Sequence, residues 1–263
     1  MNIVSETNKF VFYNCSPRFY YMDNKYDFFI FGEYLEKKGI PFSDEAKNRL
    51  TLFYELLTEK NKVMNLTAIT EWDEVLTRHF LDSISILEIK DLGDFHGKIL
   101  DLGTGGGFPG IPLKIIFPEL TMTLADSLNK RILFLQEVIE ALGLKNIEAI
   151  HGRAEDLAKD AAHREKYDLV VSRAVANLSV LSEYCLPFTR MGGSFISYKT
   201  EGVEEELFSA ENGIMLLGGS VKETAHFVLP HSDIKRSLVE IEKTKLTPKK
   251  YPRKAGTPTK EPL

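Results

Sequence analysis

The sequence predicts an α/β fold built on a doubly wound, mostly parallel sheet, with an antiparallel edge pair and an N-terminal helical cap. Three observations carry that expectation. Beyond residue 97 short apolar runs alternate with helical segments, the pattern of βαβ units whose parallel sheet is covered on both faces. The first run, "KILDLG", empties into the glycine-rich turn "DLGTGGGFPG" at 101–110. Ahead of that turn, apolar residues recur at helical spacing.

Taken in order, residues 1–25 are rich in Tyr, Phe and Asn without a helical or alternating period. They read as a disordered extension or, with Met22 as the true start, as sequence upstream of the protein. From Phe28 the pattern turns helical through "FFIFGEYLEKKGI". Ser43 has the character of an N-cap for the next helix, in which Leu50, Phe53, Leu56 and Leu57 share a face. A third helix is expected over about 71–88, so residues 26–96 form the cap and 97–263 the sheet domain with a basic C-terminal tail. Strands are expected at "KILDLG", "TMTLAD", "IEAIHG", "YDLVVSRA" and "SFISYK", with helices at "NKRILFLQEVIEALG" and "LSVLSEYCLPFTR" between them. Beyond residue 213, "SVKETAHFVL" and "KRSLVEIEKTKL" are joined by a loop and not a helix, which predicts the antiparallel pair.

Composition excludes several classes. With 263 residues, 43% hydrophobic and 27% charged, the chain suits one main domain with an appendage. Cys15 and Cys185 form no CxxC pair, which argues against a disulfide framework or a zinc site and fits a reducing cytoplasm. No apolar stretch approaches a membrane span, and the N-terminus lacks a secretory pattern. The net charge of −5 argues against uniform coating by nucleic acid and leaves room for a local basic patch.

The glycine turn calls for a ligand that touches the main chain. Glycine permits positive φ and close approach at a folding cost of roughly 0.5–1 kcal/mol per residue. Gly105, Gly107 and Gly110 formally satisfy the dinucleotide pattern, and Asp126 ends the following strand, where an acid binds ribose hydroxyls. Two details favour a different ligand. Asp101 repels phosphate and suits a cation, while Pro109 and Pro112 remove N–H donors that a pyrophosphate would use. S-adenosylmethionine, a sulfonium without phosphate, fits better than a nicotinamide or flavin cofactor; a purely structural turn is the third reading. On the favoured reading Gly105 to Gly107 give backbone room for the methionine end, and Phe108 walls the pocket. Ala154 and Glu155 fall where an adenine ring would be held, or else in the first turn of a surface helix, where the dipole favours acids. Arg173 ends an otherwise apolar strand, where burial without a partner is costly. It reads as a functional group at the cleft mouth ahead of a structural ion pair.

Seven blocks carry more than a class: "NLTAIT" at 65–70, "RHFLDSI" at 78–84, "DLGTGGGFPGIPLKI" at 101–115, "ADSLNKRILFL" at 125–135, "GRAEDL" at 152–157, "SRAVANL" at 172–178 and "YPRKAGTPTKEPL" at 251–263. In this order they resemble the ribosomal RNA small subunit methyltransferase G (GidB) family, from about residue 28 to the C-terminus. The resemblance implies an S-adenosylmethionine-dependent methyltransferase fold. It also implies methylation at N7 of a guanine in small-subunit (16S) ribosomal RNA in the bacterial cytoplasm, with the RNA or the 30S particle as partner. It implies cofactor contacts at Gly103, Phe108, Asp126 with Ser127, Ala154 with Glu155, and Arg173. Lys114 stands where the family often has Ala or Ser, a departure expected to affect only the surface.

The residues agree with such chemistry. N7 of guanine has a free lone pair at neutral pH, so transfer needs no prior deprotonation and no acid/base set is assigned; positioning contributes up to roughly 7–11 kcal/mol. His79 and Asp82, one helical turn apart, suit packing or capping better than a metal or an acid/base pair, and no metal is expected. In the tail, Lys249, Lys250, Arg253 and Lys254 offer phosphate contacts, Tyr251 is available for stacking, and the prolines keep the segment extended. An isolated charge run is usually a solvated face; beside the resemblance, RNA contact is the better reading. Truncation of the tail is then expected to weaken RNA binding and spare the cofactor. A nicotinamide-dependent oxidoreductase and a non-catalytic RNA-binding assembly factor remain the alternatives.

Overall fold

A computed structural model describes residues 26–173 and 176–263. The expectations for residues 1–25, including Met22 as the start, lie outside the described residues.

The cap forms as its patterning dictates. Helix α1 (Phe29–Lys37) buries Phe31, Tyr34 and Leu35. Helix α2 (Asp44–Met64) starts where Ser43 Oγ accepts the Ala46 N–H at 3.2 Å, with Asp44 and Glu45 placed favourably against the helix dipole. It buries Leu50, Phe53 and Leu57 completely and Leu56 in part. The third helical stretch changes winding along its length: α3 (Trp72–Val75), a π-helical segment (Leu76–Leu81), α4 (Asp82–Ile84) and a 3-10 turn (Ser85–Glu88). A π segment is rare and often marks a functional site. Here it carries His79 and leads directly into Asp82.

Among the described residues the strands form one seven-stranded sheet: β1 (Lys98–Leu102), β2 (Thr121–Asp126), β3 (Ile147–His151), β4 (Tyr167–Arg173), β5 (Thr189–Lys199), β6 (Gly219–Val228) and β7 (Lys235–Lys243). Their order is β3-β2-β1-β4-β5-β7-β6. The first five strands pair in parallel; β7 runs antiparallel to both β5 and β6, the expected edge pair. The order reverses between β1 and β4, so the crevice beyond their carboxyl ends is the place for a ligand.

Alternation along each strand splits the core in two. Ile99, Leu169 and Ile196 face one apolar cluster; Leu100, Val170 and Phe195 face the other. The first cluster takes in α5 (Gly110–Ile116) and α6 (Asn129–Ala141), together with Phe31, Phe53 and Phe80 of the cap. The cap therefore covers one face of the sheet and shares its core. Each such fully buried Phe or Leu contributes about 1.5–3 kcal/mol. The second face is covered by α7 (Ala154–Leu157), α8 (Leu178–Cys185) and α9 (Val203–Leu216). Helix α9 has no counterpart among the sequence expectations: Val203, Ala210 and Ile214 face inward, while exposed Phe208, Met215 and Leu216 blur the period. Helix α10 (Thr257–Lys260) closes the chain. No helix among the described residues is long and apolar enough to cross a membrane.

Lys114 corrects an expectation. It lies within α5, 1% exposed, and its Nζ donates to the Pro118 carbonyl at 2.6 Å and to the Leu120 carbonyl. The side chain holds the turn between α5 and β2; it is not a surface ornament. Burial lowers its pKa from the ordinary lysine value. Lys114→Ala, which removes buried methylenes and orphans two carbonyls, is expected to cost roughly 2–5 kcal/mol in denaturant unfolding.

Candidate active site

The glycine turn is anchored before it meets any ligand. Asp101, at the end of β1, is fully buried; its Oδ2 accepts the Thr104 hydroxyl at 2.7 Å and the Gly110 N–H at 2.8 Å. Among the described residues its other oxygen has no hydrogen-bond partner, and burial pushes the carboxyl up to about 6. Asp101 is thus folded beneath the turn and does not line the cavity. The expectation that its carboxylate faces a cationic ligand is corrected: it works as a strut. The argument against pyrophosphate gains a better basis. The Gly110 N–H is spent on Asp101, the Ile111 N–H on the Gly107 carbonyl at 2.8 Å, and Pro112 has none. The start of α5 therefore offers phosphate no donor over these three positions.

Two glycines suit their places, one by its backbone and one by the space it leaves. Gly105 takes φ +59° and donates its N–H to Asp126 Oδ2 at 3.0 Å. At Gly110, a Cβ would stand 2.3 Å from Leu124 and 2.8 Å from Asp101 Oδ2.

The turn borders a cavity of about 670 Å³, a size that suits a cofactor. Gly103, Gly105, Phe108, Asp126, Ser127, Ala154, Glu155 and Arg173 all line it. Asp126 is 4% exposed and is oriented by Gly105, by the Leu128 N–H at 2.8 Å and by Arg131 Nη1 at 3.2 Å. Glu155 is buried against the cavity with Oε1 on the Gly256 N–H at 3.0 Å, which is not how a surface-helix acid sits. Sequence reasoning assigned no cavity role to Thr67, His79, Arg131, Tyr184 or Gly256, which also line it. Thr67 and His79 stand in the quoted blocks "NLTAIT" and "RHFLDSI", the one signal that pointed to them.

At the open end, Arg173 joins the cap to the sheet. Its Nη1 donates to Asp82 Oδ2 at 2.9 Å and to the Arg78 carbonyl at 3.2 Å, and its guanidinium lies 5.1 Å from the Phe108 ring centre. Asp82 Oδ1 accepts Arg236 Nε at 2.8 Å. Arg173 is ion-paired within the protein and also walls the cavity. His79 stacks on Phe108 with ring centres 4.5 Å apart, its Nε2 2.7 Å from Thr67 Oγ1. Burial first, and the neighbouring Arg173 charge second, hold its pKa down to about 4, so the ring is neutral at physiological pH.

The C-terminal segment departs from its expectation. Tyr251 is 5% exposed and takes no stacking role at the surface. Arg253 makes a two-oxygen contact with buried Glu183, Nη2 to Oε2 at 2.7 Å and Nε to Oε1 at 3.0 Å. Arg164 donates to the Thr247 and Tyr251 carbonyls at 2.8 and 2.9 Å. The segment is packed against the domain and is not an extended tail, and Gly256 reaches the cavity wall. Truncation would therefore remove part of the cavity wall, whereas the sequence reading expected it to leave the cavity untouched. Lys249, Lys250 and Lys254 stay exposed. Among the described residues no group of His, Cys, Asp and Glu is placed to hold a metal ion.

Two outcomes follow from the Arg173 network. Asp82→Ala leaves two guanidinium groups facing one another without their shared anion and is expected to cost roughly 3–5 kcal/mol in denaturant unfolding. For His79, a folded pKa near 4 against 6.5 means that stability present above pH 6.5 is lost as pH falls through 4. The loss is on the order of 3 kcal/mol, and His79→Gln is expected to remove it from the pH profile of unfolding.

Comparison with known proteins agrees with this geometry. The chain is 51% identical over 231 residues to ribosomal RNA small subunit methyltransferase G of Lachnoclostridium phytofermentans, covering 87% of this chain and 94% of the relative. It is 50% identical over 228 residues to the protein of the same name from Alkaliphilus metalliredigens, covering 87% and 95%. Against the protein of that name from Lactobacillus johnsonii, the figures are 46% over 235 residues, 89% and 98%. In fold it is similar to the crystal structure of a mutant of MtNAS, with TM-score 0.50 and 16% identity over 84% of this chain and 83% of that one. Neither the relatives nor the spent donors of α5 support the nicotinamide oxidoreductase. The model of the GidB family, rRNA small subunit methyltransferase G, matches residues 46–238, and the chain belongs to that family.

Proposed function

We propose that the protein transfers a methyl group from S-adenosylmethionine to N7 of a guanine in small-subunit ribosomal RNA, in the bacterial cytoplasm. The observation that carries this reading is the single cavity joining a glycine cradle, an oriented acid and a cation-lined mouth. The residues fit the cofactor. Asp126 suits the ribose hydroxyls, Ser127 borders them, and Ala154 with Glu155 suits the adenine. Gly103 and Gly105 leave room for the amino-acid end, and Phe108 walls the reacting end. When bound, the cofactor supplies an electrophilic methyl group on a positively charged sulfur.

The chain's own residues position and exclude. With the cofactor bound, the N7 lone pair would form the new N–C bond as the C–S bond broke with its electrons left on sulfur, and the positive charge would pass to the purine. No proton moves in that step. This accords with a site whose histidine is held neutral and whose acids are already hydrogen-bonded. Arg173 and Phe108 form the boundary across which methyl donor and acceptor would align, the kind of orientation that lowers the barrier through proximity. Lys249, Lys250 and Lys254, exposed beside the segment that walls the cavity, suit RNA phosphates. Tyr251 and Arg253 hold that segment in place and are withdrawn from the RNA contact set.

Tritiated methyl incorporation into unmodified 30S particles and into naked RNA, with mapping of the product, tests the reading. N7-methylguanine is expected, and binding without incorporation would instead favour an assembly factor. Asp126→Ala is expected to weaken cofactor binding tenfold or more in calorimetry. Replacing Lys249, Lys250 and Lys254 together by Ala is expected to leave that affinity unchanged and to flatten the salt dependence of RNA binding by about 2 in log–log slope.

A further inference from the structure

A second cavity, of about 380 Å³, shares His79 and Arg173 with the first. Its lining includes Asp82, paired with both Arg173 and Arg236, and Lys199, paired with Glu206. Arg78, Arg173, Lys199 and Arg236 outnumber the acids Asp82 and Glu206 in its lining, a balance that suits a nucleotide.

Glu206, on α9, is divided in its work. Its Oε2 accepts the Leu178 N–H at 2.7 Å and Lys199 Nζ at 2.6 Å. Lys199 Nζ is itself held by the Ala176 carbonyl at 2.7 Å. Among the described residues Oε1 takes no hydrogen bond and the side chain is 36% exposed, so one carboxylate oxygen is held by two donors while the other is open to solvent or to a ligand carrying N–H groups.

We propose that this second cavity receives the target guanine, with Glu206 Oε1 accepting from its N1–H and 2-amino edge. The proposal rests on the methyl-transfer reading above and deepens it. Guanine alone among the four bases places an imino N–H and an amino group side by side on the Watson–Crick edge, and adenine presents an acceptor at N1. Enzymes that act on a base extrude it and read that edge in a pocket. N7 lies across the ring from the edge so read, so a base held by Glu206 points N7 away from that carboxylate, and His79 and Arg173 are the lining residues that also border the cofactor cavity. The guanidinium groups of the lining suit O6 as donors. As N7 gains the methyl group the ring becomes positive and N1–H more acidic, and a carboxylate at that edge offsets the developing charge.

The substitution Glu206→Gln discriminates this role from a structural one. Because Leu178 N–H and Lys199 Nζ require an acceptor, the amide oxygen takes the Oε2 place and the amide N–H₂ turns into the cavity, opposing the donors of guanine. The substrates are 30S particles reconstituted with RNA carrying guanosine or inosine, which lacks the 2-amino group, at the position mapped for the wild-type product. The wild type is expected to prefer guanosine about tenfold or more in kcat/KM. Glu206→Gln is expected to lose tenfold or more on guanosine and to lose the preference, with cofactor affinity kept and the protein still folded at the assay temperature despite the weakened Lys199 pair; Glu205→Gln, an exposed neighbour, serves as control. Unchanged kcat/KM in Glu206→Gln overturns the proposal, as does an equal loss on both substrates. If the wild type yields no N7-methylguanine at the mapping step, it is the methyl-transfer reading that fails.

Discussion

The Asp82 carboxylate, 4% exposed, accepts Arg173 from β4 and Arg236 from β7 while standing on the helical cap. One buried anion thereby fixes three parts of the chain that meet nowhere else in sequence. A buried ion pair is a poor source of net stability, because desolvation offsets its attraction, but it is selective about geometry. Here that selectivity sets where Arg173 stands, and Arg173 sets the boundary between the two cavities. Tyr198 reinforces the junction by donating its hydroxyl to the Ser83 carbonyl at 2.8 Å. The cap is therefore part of the site.

A second set of buried polar contacts closes the opposite side of the cofactor cavity. Glu155 holds Gly256, Glu183 holds Arg253, and Arg164 gathers the Thr247 and Tyr251 carbonyls. Each contact spans 70 or more residues in sequence. The C-terminal segment is consequently a wall of the cavity, with Lys249, Lys250 and Lys254 among its outward-facing residues. This arrangement couples the cavity wall to the exposed lysines beside it. A change that unseats the segment would disturb both, whereas a change at Lys249, Lys250 or Lys254 need disturb only one.

Local rules account for the elements that were legible. The βαβ alternation after residue 97 placed five parallel strands, and the loop-joined runs beyond residue 213 placed the antiparallel pair. Ser43 capped its helix as its side chain dictates. Helix α9 escaped because Phe208, Met215 and Leu216 are apolar yet exposed, which erases the contrast that marks a buried face. Within the site, residues at strand ends were legible since strand register brings them to one edge. Residues supplied by the cap or by the C-terminal segment, such as His79 and Gly256, stood in family-like blocks but could not be placed at the cavity, because their approach depends on contacts across the whole chain.

The sequence by itself determined the strand and helix order, the glycine turn beyond β1 and the family, since periodicity, backbone permissiveness and motif order are properties of neighbouring residues. Only the tertiary structure decided which charged groups face a ligand and which serve the fold. Asp101, Lys114, Tyr251 and Arg253 each read as surface or ligand groups in sequence, and each is taken up by partners within the protein. The reason is physical: a buried polar group must find its hydrogen-bond partner, and for three of these four that partner is a backbone group or a distant side chain that local patterning does not reveal.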